Sequence, residues 1–160
     1  MNTIQHYYNL VDECIREIGV DPEATRQKDV NGQIRMGAWT LFKGTAQVWI
    51  DVWHIEKENR PYFQVMCPVM NFPEATLQSN LFKELLEIND KLYGVAFTIY
   101  QNQVWLKTIR ECEGLDKSEA LAQITRVGNY SDQYDDYLKS KYPPAPANAA
   151  AFVGGPPVST

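Results

Sequence analysis

Between Gln33 and Val69 two sets of side chains alternate with a period of two, as Val48, Ile50 and Val52 do against Trp49, Asp51 and Trp53, broken only at short turns. That pattern requires strands rather than helices. Gln33 to Phe42 is the first run, and Ala46 to Glu56 follows across Lys43-Gly44. Lys57-Glu58-Asn59-Arg60 is a charged second turn, and Tyr62 to Val69 is a third run with Pro61 and Pro68 near its ends. Consecutive strands with such short turns pair antiparallel.

Helical periodicity brackets this meander. Ile4, Tyr8, Val11, Ile15 and Ile18 fall at steps of three and four before Gly19 and Asp21-Pro22. Asn71-Phe72-Pro73-Glu74 reads as the start of a second helix, with Leu77, Leu81, Leu85 and Ile88 on one face and Phe82 and Leu86 widening it. Tyr93 to Tyr100 and Val104 to Ile109 form a hairpin around Gln101-Asn102-Gln103. Asp116 and Glu119 have the spacing of a capping pair for a last helix carrying Leu121, Ile124, Val127, Tyr130, Tyr134, Tyr137 and Leu138. The expected order is α-β-β-β-α-β-β-α. It predicts an α+β domain over 1–142, a five-stranded antiparallel sheet with helices mainly on one face. Residues 143–160 hold five prolines, five alanines and no charge, which predicts a flexible Pro/Ala-rich tail.

Alternation sorts the strand side chains. Val48, Ile50, Val52, Phe63, Val65, Cys67, Val95, Phe97 and Ile99 form an aliphatic set suited to packing under helices. Trp49, Asp51 and Trp53 point the other way, and Met66, Tyr100, Trp105 and Trp39 are expected beside them. Trp, Tyr and Met are enriched at interface centres, so this second face is the candidate surface for a partner or for dimerisation. The competing expectation is that a helix or the tail covers these rings.

Composition narrows the partners. The 160 residues carry 15 Lys plus Arg against 20 Asp plus Glu, a net charge of −5, with no basic stripe for a nucleic-acid backbone. Four Trp, nine Tyr and six Phe make a high aromatic share. No apolar stretch reaches membrane-spanning length, and no basic segment leads into an apolar one at the N-terminus. The three cysteines, Cys14, Cys67 and Cys112, form no C-x-x-C pair, which fits a reducing, cytoplasmic setting.

Catalytic motifs are missing from the sequence. His54-Ile55-Glu56 mimics the H-x-E of zinc deaminases, but Cys67-Pro68 has no second cysteine to complete that site. No phosphate-binding glycine loop, nucleophile elbow or zinc-protease motif occurs, so no metal or cofactor is expected. The alternative to a binding module is a small-molecule binder or enzyme with a pocket between sheet and helices, using His54, Cys67, Tyr62 and Asp51.

The element order resembles that of type III secretion chaperones. The stretch from Tyr62 to Tyr142 looks like a YbjN-type domain. A strand ending in proline (Val65-Met66-Cys67-Pro68) leads into a leucine-rich helix ending in Asn (Leu85-Leu86-Glu87-Ile88-Asn89). A hairpin (Val95 to Ile99, then Val104-Trp105-Leu106) and a long last helix follow. The resemblance implies a bacterial, cytoplasmic, non-enzymatic protein. It further implies a homodimer that binds a client segment, or a regulator.

Overall fold

The computed structural model describes residues 3–146, and the rest of the Pro/Ala-rich stretch, 147–160, lies outside the described residues. The order is α1 (Ile4–Glu17), α2 (Pro22–Thr25), β1 (Arg26–Lys28), β2 (Ile34–Lys43), β3 (Ala46–Ile55), β4 (Arg60–Asn71), α3 (Ala75–Asn89), β5 (Ala96–Tyr100), β6 (Gln103–Glu111) and α4 (Lys117–Lys141). The strands form one sheet in the order β1-β2-β3-β4-β6-β5, every neighbour antiparallel.

The sheet therefore has six strands where five are expected. The extra strand, β1, is three polar residues, Arg26-Gln27-Lys28, too short to show a period of two. Gln27 holds it in place by donating from Nε2 to the Trp39 carbonyl at 3.1 Å. Asp21 caps the single turn of α2 that precedes it, its Oδ1 accepting from the Glu23 amide at 3.0 Å.

Turn chemistry sets the registers. Lys43 faces Ala46 across Gly44-Thr45, with Gly44 at φ +59°. Tyr100 faces Gln103 across Gln101-Asn102, both at positive φ, as a two-residue hairpin turn of matching twist requires. Gly37 sits at φ +74°, where an added Cβ would lie 2.3 Å from the Val52 carbonyl oxygen and 2.6 Å from the Tyr8 ring. Only glycine fits that position.

The helices bury one face of the sheet. Val48, Ile50, Val52, Phe63, Val65, Cys67, Val95, Phe97, Val104 and Leu106 join Val11, Ile15, Leu81, Leu85, Ile124 and Leu138 in one core. Three expected core positions differ. Ile99, near the end of edge strand β5, is exposed, and Leu86 is 71% exposed on the outer side of α3. Tyr137 is half-exposed, and its hydroxyl goes to Glu84, which also takes Tyr142 and Lys141 and so ties the end of α4 to α3. On α1 the buried stripe is Tyr7, Leu10, Val11, Cys14 and Ile15, rotated from the expected one.

The helix ends also differ in detail. Asp116 caps α4, accepting from the Glu119 amide at 2.8 Å, while the Glu119 carboxylate turns to Arg110. Pro73 precedes α3 instead of lying in its first turn, and it pairs with Pro144 beyond α4. The Ala145 amide then donates to the Phe72 carbonyl at 3.0 Å. This brings the last described residues to the β4 end of the sheet.

Candidate partner-binding face

The register carries Trp49 and Trp53 onto the sheet face away from the helices. Trp49 is opposite Met66, Asp51 opposite Gln64 and Trp53 opposite Tyr62. One strand further, Met66 is opposite Lys107 and Gln64 opposite Ile109. Trp105 is opposite Pro68 and Thr98, and Tyr100 opposite Gln103. Ala38, Thr40 and Phe42 line the same face from β2.

At the centre, Trp49, Met66 and Trp105 form a second apolar cluster that contains no helix residue, with Tyr100 packed against it. The Trp49 and Trp105 rings meet edge to face at 5.3 Å between centroids. Such a pair contributes about 1 kcal/mol beyond the area it buries. Trp49 is 7% exposed, Met66 1% and Trp105 0%. Trp53 and Tyr62 are half-buried, their rings tilted at 6.1 Å, and Phe42 and Ile109 stand exposed at the rim. Five of the six expected site residues thus share one face.

Trp39 does not. It pairs with Ile50 and belongs to the helix-side core. Its indole N–H donates to Asp12 Oδ1 at 2.9 Å, and Arg26, bonded to Asp12 Oδ2 at 2.8 Å, lies 4.9 Å over its ring. The physical reason is register: Ala38 and Thr40 take the outward positions, and a buried carboxylate on α1 satisfies the indole.

A polar group interrupts the aromatic face. Asp51 is 5% exposed, and burial pushes its carboxyl up to about 6 despite the Arg35 and Lys107 charges and the Gln64 hydrogen bond. Burial likewise lowers Lys107, against the pull of Asp51. Gln64 donates from Nε2 to Met66 Sδ at 3.2 Å. Among the described residues, Asp51 Oδ2, Gln64 Oε1, Trp53 Nε1 and Gln103 Oε1 are buried with no hydrogen-bond partner. Gln64 and Lys107 are not readable as site residues from sequence. Both follow only from register: Gln64 faces Asp51, and Lys107 faces Met66 from the next strand.

The residues of the enzymatic alternative do not converge. Cys67 lies in the helix-side core, where Ser131 Oγ is 2.9 Å from its sulfur and burial pushes the thiol up to about 11. Tyr62 and Asp51 are on the opposite face, and Tyr62 bonds Glu58. His54 is exposed near the end of β3. A cleft of about 740 Å³ lies outside the sheet–helix interface, along α4 and the end of α1, lined by Glu17, Lys117, Leu121, Arg126 and Tyr130 among others. Among the described residues no cluster of His, Cys, Asp or Glu could hold a metal ion, and no helix is long and apolar enough to cross a membrane.

Solved structures share this fold. A chain of the ExsC–ExsE complex superposes with a TM-score of 0.59 at 15% identity, covering 86% of this chain and 97% of that one. A chain of the HopA1–SchA chaperone–effector complex gives 0.56 at 11% identity, covering 83% and 95%. A chain from the complex of the Yersinia pestis type III secretion chaperone SycH with a fragment of YscM2 gives 0.50 at 9% identity, covering 79% and 98%. The fold is thus the one found in type III secretion chaperone complexes. No protein-family model and no curated protein matches the chain.

Proposed function

We propose that this protein is a non-enzymatic, chaperone-like protein-binding module whose helix-free sheet face receives a segment of a partner protein. The observation that carries the reading is the Trp49–Met66–Trp105 cluster, set apart from the helix-side core and rimmed by Trp53, Tyr62, Tyr100, Ile109 and Phe42. Apolar anchors supply affinity, and the acidic balance of the chain steers a basic segment toward it. The likeness in fold to chains of chaperone–effector complexes adds support.

The protein is cytoplasmic and bacterial, and its stretch from Tyr62 to Tyr142 is a YbjN-type variant of the chaperone fold. Residues 1–142 are its folded domain and 143–160 its tail. It works as a homodimer.

The test is a double substitution at the half-buried rim, Trp53→Ser with Tyr62→Ser. Partner recovered from the native host, compared by mass spectrometry with the parent chain, should fall while the melting temperature drops by only several degrees and the variant stays folded. Undiminished recovery would reject the face. Light scattering at high micromolar concentration tests the dimer, and a clean monomer would count against it.

A further inference from the structure

Three observations converge on the corner of the helix-free face formed by Tyr100, Gln103 and Asn71. First, the last described residues arrive there: Pro144 pairs with Pro73, and the Ala145 amide donates to the Phe72 carbonyl at 3.0 Å. Asn71 is opposite Gln103, which is opposite Tyr100. The last described hydrogen bond thus goes to the residue after Asn71, whose β6 partner Gln103 lies two residues from Trp105.

Second, the face is buried without a helix over it. Met66 is 1% exposed, yet its cluster contains no residue from α1, α3 or α4. Asp51 Oδ2, Gln64 Oε1, Trp53 Nε1 and Gln103 Oε1 have unmet hydrogen-bonding capacity among the described residues. Buried polar atoms normally find partners, and the backbone amides and carbonyls of an extended segment supply both kinds.

Third, the chain that continues from this corner has matching chemistry. Residues 147–160 carry no charge, are short-sided through Ala147, Ala149, Ala150 and Ala151, and then offer Phe152 and Val153 as apolar anchors. Fourteen residues span up to about 45 Å when extended, whereas crossing three strand spacings takes about 15 Å.

We propose that the segment Ala147–Thr160 docks on the Trp49/Met66/Trp105 face of its own domain and occupies the surface that a partner's segment takes. The tail is then a tethered competitor. A partner must displace it, and its tethering makes its effective concentration high. The inference rests on reading the face as a segment-binding surface. The experiment below uses the isolated chain, so its failure leaves the partner reading standing, and failure to find a partner leaves the docking standing.

The test places a nitroxide on the full chain at Gly155→Cys, the three native cysteines being buried. The indole N–H signals of Trp49, Trp53 and Trp105 should broaden strongly, and that of Trp39, on the helix side, far less. Adding Phe152→Ser should restore the three signals while leaving Trp39 unchanged, which also reports that the fold persists. Mixing spin-labelled chains without 15N with unlabelled 15N chains separates the occupants. Broadening in the mixed sample would mean that a second copy covers the face, and no selective broadening would mean that the tail does not reach it. Either result overturns the proposal.

Discussion

The indole ring of Trp105 stands edge-on to that of Trp49, centroids 5.3 Å apart, on the sheet face opposite every helix in the shared core. The two rings come from β6 and β3, with Met66 of β4 between their strands. This pair belongs to the stability of the domain as well as to its surface. Trp49→Ala should therefore cost about 3 kcal/mol or more, as expected for a large buried aromatic. Trp53→Ala, at a half-buried position, should cost about 1 kcal/mol. Urea unfolding of the two variants checks the ordering. Equal losses would place both in one environment.

Asp51 gives the face a pH signature. An unfolded aspartate loses its proton near its ordinary value of about 4. In the fold, burial raises that value to about 6. Below pH 4 both states are protonated and the full stability is present. As pH rises from 4 to 6 the unfolded state ionises first, so stability falls, by about 3 kcal/mol at most. Asp51→Asn should abolish that step and be the more stable chain at pH 7. Urea midpoints from pH 4 to 7 test this. A parent curve that rises through the window would contradict the assignment.

Asp12 and Trp39 form the opposite kind of site, buried and satisfied. Asp12→Ala leaves the Trp39 indole N–H without its 2.9 Å acceptor and Arg26 without its carboxylate. The expected loss is about 3 kcal/mol, the cost of orphaning a buried donor and a partly buried charge. Asp12→Asn, which keeps an acceptor oxygen, should cost less. Thermal melts of both variants decide.

The thiols should be inert in the native state. Burial pushes Cys14 and Cys67 up to about 11 and Cys112 up to about 12. Thiolate is the reactive form, so a chromogenic disulfide reagent at pH 8 should titrate none of the three quickly and all of them in denaturant. A fast-reacting thiol in the native chain would reveal an accessible site that the fold does not provide.

Much of this architecture is legible in the residues, and the rest hides for identifiable reasons. The strands β2, β3 and β4, the hairpin β5–β6 and the three long helices follow from hydrophobic period and turn residues. So does the pairing of Trp49 with Trp53 on one face. Strand β1 escapes because three polar residues carry no period and are held by the Gln27 side chain. Trp39 misleads because a tryptophan in an alternating run does not say which face a glycine-bent strand presents. Its partner Asp12 sits on a helix far away in sequence. Leu86 and Tyr137 look like core by period, yet Leu86 stands on the outer side of α3 and Tyr137 turns its hydroxyl to Glu84. The polar group at the centre of the face depends on the register of β3 against β4, which periodicity does not specify.

A protein segment seated on the helix-free face would lie within reach of Tyr62 and Tyr100. The most direct measurement places a photo-crosslinking amino acid at Tyr62 or Tyr100, in the full chain and in a Phe152→Ser chain, inside the native host. A control carries it at Lys83, exposed on α3. A discrete adduct with one partner protein is expected from both face positions, stronger when Phe152 is replaced, and none from Lys83. Adducts that arise equally from Lys83, or no adduct from either face position, would contradict a segment seated on this face.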